Sequence, residues 1–182
     1  MLKRLLCVVF LSASAFVQAA APAPPSVAAR AWLLADLSSG QILASEKAED
    51  QFEPASLTKL MTAYVVFSAL RDKRIALEQK VTVSTRAWKT KGSRMFIEPR
   101  KPVTVEELIH GMVVQSGNDA CIALAEQVAG SEEVFVTRMN EEAVRLGMKK
   151  TKFMNASGLP DPQHLTTAQD LYRLAAALIR DF

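Results

Sequence analysis

PASLTKLMTAYVV, residues Pro54 to Val66, sets a serine, a lysine three positions later and then an almost unbroken apolar run. The pattern predicts a helix from about Ser56 to Leu70. It is apolar nearly all round, so it belongs at the centre of a fold. A lysine at the mouth of a buried helix loses hydration that must be compensated. Ser56 and Lys59, three apart in a first turn, share a face, so the amine can reach the hydroxyl. Desolvation lowers an amine's pKa and lets the neutral form accept a proton. The helix N-terminus adds N–H groups that favour a developing oxyanion. The plain alternative is that Ser56 caps the helix and Lys59 points to water.

Working outward, RAWLLADLSSGQILASE (30–46) reads as two strands around a Ser-Ser-Gly turn. The first strand is nearly all apolar, so both its faces are expected to be covered. ALEQKVTVST (76–85) is short extended structure, and RAWKTKGSRMFIEPRKP (86–102) is a long irregular excursion. Thr104 with Glu107 forms a capping box for a helix to about Val114. QSGND interrupts, and a second helix runs to Gly130, a C-terminal cap. Ser131 with Glu132 and Glu133 opens a third helix, closed by Gly147. FMNASGLPDPQHL (153–165) is loop, and Thr166 with Gln169 forms a capping box for a last helix.

The turn between the second pair of helices is the other candidate for chemistry. Ser116 and Asn118 flank Gly117, which allows a tight bend. The Asn118 carboxamide has donors and an acceptor with which to hold an amide. Alternatively, both residues simply cap the following helix.

The N-terminus has a separate purpose. Lys3 and Arg4, the apolar LLCVVFLSASAF and the small-residue signal VQA read as a Sec-type signal peptide, residues 1–19, cut after Ala19. A Pro/Ala leader follows at 20–29. The signal carries two of the positive charges and no negative ones, so the net charge of +3 falls to about +1 without it. That balance gives no argument for a nucleic-acid partner. Beyond the signal only Cys121 remains, in an apolar helical setting that suits a small buried hydrophobe. His110 and His164 fit no triad and read as surface or packing residues. No spacing of Cys, His or acids suggests a metal.

The two serine motifs together resemble the penicillin-recognising serine enzymes, with their S-x-x-K and S-D-N elements. The Ser116-Gly117-Asn118 variant is similar to the D-alanyl-D-alanine carboxypeptidases, the low-molecular-mass penicillin-binding proteins of the S11 peptidase type. Likeness extends over WLLADLSSGQILASE, EPASLTKLMTAYV, KGSRMFIEP, LIHGMVVQSGNDACIALAE and GMKKTKFMNASGLPDPQHLTTAQDL. The resemblance implies an α/β (α+β) fold, β-lactamase/transpeptidase-like, over residues 30–182. An antiparallel sheet with flanking helices would pack against a helical region at about 70–150, with the active site between them. Ser56 would be the nucleophile, Lys59 its proton acceptor, Ser116 the relay to the leaving amine, and Asn118 the substrate-binding residue.

The family's third motif, K-T-G on a late strand, is not found; KTK at 89–91 precedes the second motif. The expectation is therefore a domain incomplete at its C-terminus and inactive as it stands. An amphipathic C-terminal anchor would link the parent protein to the inner membrane. Implied partners are peptidoglycan stem peptides and, as covalent inhibitors, β-lactams. No cofactor is implied, and the expected location is the periplasm. The rival readings are a serine β-lactamase and a non-catalytic penicillin-sensing or wall-binding domain. Against the first, the 153–170 region contains no glutamate; Asp161 and Asp170 are its only acids.

Overall fold

A computed structural model describes residues 23–24 and 26–182. The signal peptide assigned to residues 1–19 lies outside them, as do positions 20–22 and 25 of the leader. Strands β1 (Trp32–Ala35) and β2 (Ile42–Glu46) form the expected antiparallel hairpin, Trp32 opposite Glu46, with an irregularity between Leu34 and Ala35. Its turn is organised by a residue the Ser-Ser-Gly reading passed over. The Asp36 carboxylate accepts the N–H groups of Ser38 and Ser39, both at 2.8 Å. Bonds from the Ser38 and Ser39 hydroxyls and amides hold its pKa down at about 2.

The expectation that both faces of β1 are covered is corrected. In β1 Leu34 is 53% exposed. Among the described residues β1 pairs with β2 alone, and a helix, α6 (Ala168–Asp181), packs against it.

The predicted helix at 56–70 divides in two. A 3-10 turn spans Ala55–Thr58, closed by Leu57 N–H to the Pro54 carbonyl at 3.0 Å, and α1 follows at Lys59–Arg71. Ala55 enters the turn with φ +46°, in the left-handed region. Helix α1 is central as predicted, burying Met61, Tyr64, Val65, Val66 and Ala69. Beside it lies α4 (Asn118–Ala129), whose first eight residues are all buried. Its Ala and Cys side chains let the two helices come close. Helices α3 (Val105–Val114) and α5 (Glu132–Arg145) pack on this pair.

The helix ends largely obey their capping residues. Thr104 and Glu107 make the reciprocal capping box, Ser131 accepts from the Val134 N–H, and Gly130 ends α4 at φ +83°. The cap assigned to Thr166 with Gln169 falls instead to the next residue, as a simple cap and not a box. Thr167 caps α6 and accepts from the Asp170 N–H. Thr166 cannot serve because its backbone is already paired on both sides with Phe52, and its hydroxyl meets Thr151 at 2.8 Å. Tertiary pairing outcompetes the local cap.

The extended stretch expected at 76–85 supplies one short strand, while its partner strand and a one-turn helix were not expected. Strands β3 (Lys80–Val81) and β4 (Val103–Thr104) pair antiparallel. Between them a one-turn helix, α2 (Thr85–Trp88), is capped by Ser84 and lies against α4. The excursion at 86–102 is thus stapled at its base.

Candidate active site

The 3-10 turn leaves Ser56 exposed, three residues before the first residue of α1. Lys59 opens that helix and is only 8% exposed. Its ammonium nitrogen lies 2.9 Å from Asn118 Oδ1, 2.8 Å from the Ser157 carbonyl and 3.4 Å from Ser56 Oγ. All three partners are uncharged. Burial pushes the Lys59 pKa down, with the neighbouring Cys121 opposing it. Burial also drives the Cys121 thiol up to about 12, so at neutral pH it carries no charge and is no counter-ion.

Three acceptors suit the three N–H groups of the ammonium, while burial eases the loss of one proton to give the neutral amine. Such a group has two N–H donors and one lone pair. With the two short bonds kept, loss of the proton that Lys59 donates to Ser56 Oγ at 3.4 Å leaves a lone pair facing that hydroxyl. A hydroxyl aligned with a base in this way can be activated as a nucleophile.

Ser116 reaches the same spot from the link between α3 and α4. It adopts φ +55°, a costly conformation for a side-chain-bearing residue. Its hydroxyl lies 3.2 Å from Ser56 Oγ. Asn118 opens α4. Besides receiving Lys59, it donates from Nδ2 to the Lys91 carbonyl at 2.8 Å, and its own N–H bonds the Ser93 carbonyl at 2.7 Å. One amide N–H remains for a ligand. The four residues singled out in the sequence, Ser56, Lys59, Ser116 and Asn118, thus meet in one place. His110 stays on the surface of α3.

Other residues of this site were not legible as such. The buried Asp119 accepts N–H bonds from Met95 (3.0 Å), Phe96 (2.8 Å) and Ile97 (3.2 Å), and so pins the excursion to α4. Replacing Asp119 by alanine strands these donors. We expect a loss of about 3 kcal/mol of stability, read as a lower urea midpoint. An unchanged midpoint would show that the donors find partners elsewhere.

On the opposite side, Asn155 Oδ1 accepts the N–H groups of Ser157 (3.2 Å), Gly158 (2.7 Å) and Leu159 (3.0 Å), shaping the turn that offers Lys59 a carbonyl. Gly158 has φ +86°, and a Cβ there would collide with the Ala55 carbonyl. The only available signal for these residues was the Asn-x-Ser-Gly string, which reads as any polar turn.

Comparison with known proteins gives the family. The family model described as "D-alanyl-D-alanine carboxypeptidase", peptidase S11, matches residues 18–182. The chain belongs to this family. Among S11 relatives, it is 48% identical over 163 residues to the D-alanyl-D-alanine carboxypeptidase DacC of Escherichia coli, covering 86% of this chain and 41% of that one. With DacF of Bacillus subtilis it shares 38% over 152 residues, 84% and 39% of the two chains. The crystal structure of DacD from Francisella tularensis superimposes with a TM-score of 0.87 at 38% identity, covering 90% of this chain and 40% of that one. Penicillin-binding protein D2 of Listeria monocytogenes, in its ampicillin-bound form, gives 0.78 at 28% identity, covering 88% and 65%. The S11 chain described here spans about two fifths of the length of those curated relatives. Its fold is that of the penicillin-binding, transpeptidase-like proteins, mixed helices and antiparallel strands as the motifs implied.

Proposed function

We propose that the whole protein is a serine-type D-alanyl-D-alanine carboxypeptidase that trims peptidoglycan stem peptides. The observation that carries this reading is Lys59, buried among uncharged partners with Ser56 Oγ as its third and longest contact. In the proposed reaction Ser56 Oγ attacks the carbonyl of the penultimate D-alanine, and its proton passes to Lys59 Nζ. The tetrahedral intermediate collapses as the C–N bond breaks. Ser116 passes a proton to the departing amine, and D-alanine leaves. Water then hydrolyses the Ser56 ester. Asn118 holds the acyl amide with its remaining N–H.

β-Lactams would acylate Ser56 and leave slowly. The acids of the 153–170 region support slow release. Asp170 is buried and occupied by the Lys150 N–H, the Thr151 hydroxyl and Arg173. Asp161 accepts from the Gln163 N–H. Neither is presented as a base for water in the manner of a serine β-lactamase. The signal-like N-terminus and the wall substrate favour the periplasm. Among the described residues no helix is long and apolar enough to cross a membrane.

The test incubates the whole protein with a peptide ending in D-Ala-D-Ala and with a penicillin. Release of D-alanine, and a penicilloyl adduct mapped by mass to the peptide containing Ser56, are expected. Rapid penicillin turnover without D-alanine release would replace this reading with β-lactamase. An adduct without either turnover would favour a penicillin sensor.

A further inference from the structure

His164 is fully buried, yet the reaction above makes no use of it. Its Nε2 lies 2.9 Å from the hydroxyl of Thr58, the residue that precedes Lys59 in the chain's tight turn. Its Nδ1 lies 3.3 Å from Asn155 Nδ2 and 3.4 Å from the Met154 N–H. The Asn155 amide cannot be reversed, because its oxygen already accepts three backbone N–H groups. Its nitrogen must therefore be the end that faces His164. Two donors converge on Nδ1, so Nδ1 is the acceptor and the ring proton sits on Nε2.

Those contacts close a ring of bonds. It runs from Thr58 through His164 to Asn155, from Asn155 to the backbone of 157–159, from the Ser157 carbonyl to Lys59, and along the chain back to Thr58. We propose that His164, as the neutral Nε2–H tautomer, is a positioning residue that locks the serine–lysine turn to the Asn155 turn and so sets the Lys59–Ser56 alignment. The proposal rests on the carboxypeptidase reading of that pair.

The surroundings keep the ring neutral. Burial lowers its pKa, while the Asp161 and Glu53 carboxylates, beside a cavity of about 50 Å³, pull the other way. The Phe153 ring meets it edge-on at 5.7 Å. A second proton on Nδ1 would point at two N–H groups. With the folded pKa below the ordinary imidazole value of about 6.5, the stabilising neutral form is fully present above that pH and is lost as pH falls through the folded value.

The test uses the whole protein and two variants. His164→Leu keeps the bulk but none of the bonds. His164→Gln can donate to Thr58 and accept at the Asn155 end without titrating. We expect the Leu variant to acylate with a fluorescent penicillin about tenfold more slowly, in the acylation step and not in initial affinity. The Gln variant should recover to within about threefold of the parent. It should also lose part of the fall in melting temperature that the parent shows between pH 7 and 5. In the parent, ¹⁵N spectra should show the Nε2–H tautomer.

Leu acylating at the parental rate, Gln as slow as Leu, or an Nδ1–H tautomer would each overturn the proposal. Parental labelling that Ser56→Ala abolishes secures the underlying reading separately, so a failure confined to the His164 variants counts against this inference alone.

Discussion

Ser56→Ala is expected to lose covalent labelling by a fluorescent penicillin, and D-alanine release with it, by at least about a thousandfold. The argument is geometric. Ser56 is the exposed hydroxyl in line with the buried amine of Lys59, at 3.4 Å. Among the described residues Lys59 bonds Ser56 and not Ser116. Ser116 meets the base only through Ser56, at 3.2 Å from its hydroxyl. Removing the Ser56 oxygen leaves Ser116 without an activated proton acceptor. Gel labelling at saturating probe measures this directly. A variant that still labels would move the nucleophile to another side chain, and the mass of the adduct peptide would say which.

Lys59→Arg should cost about a hundred- to ten-thousandfold in acylation, although charge and rough length are kept. Guanidinium does not give up a proton near neutral pH, so it cannot become the base. Its planar fork also fits poorly between two single acceptors, Asn118 Oδ1 and the Ser157 carbonyl. The pH dependence sharpens the test. Burial lowers the Lys59 pKa from its ordinary 10.5. The active neutral amine is therefore lost as pH falls through that lowered value. Parental acylation should rise with pH across this range, and the residual rate of the Arg variant should not. An Arg variant that acylates at near the parental rate would reduce Lys59 to a supporting charge.

The part of this site that could be read from the chain is the part that chemistry spaces locally. Ser56 and Lys59 are three apart, and Ser116 and Asn118 are two apart, so each pair announces itself within one turn. The capping residues Thr104 and Ser131 are legible for the same reason. What escaped depends on partners far along the chain. Asp119 looks like a fourth letter of a turn until the N–H groups of 95–97 come to it. His164 looks like a loop histidine until Thr58, 106 residues away, meets it. Thr166 has every local qualification for a cap, and loses the place to Thr167 because Phe52 claims its backbone. The nearly all-apolar run of β1 predicted cover on both faces, yet Leu34 is exposed, because hydrophobicity describes a strand and not what packs on it.

The long reach of these bonds also bears on how the protein comes to exist. Lys59 bonds Asn118 and Ser157, 59 and 98 residues further on. Contacts of such separation close large loops and form late, after helices that need only their own residues. Three distant stretches must arrive before the amine has its two acceptors. A chain that has regained its helices but not these contacts has a serine and a fully hydrated, protonated lysine. Reactivity towards penicillin is thus a report on completed folding. In a refolding experiment the helical circular-dichroism signal should return first and labelling competence afterwards. A pulse of labelled penicillin at successive times would separate the two, and labelling that kept pace with helix formation would show the site assembling earlier than its topology implies.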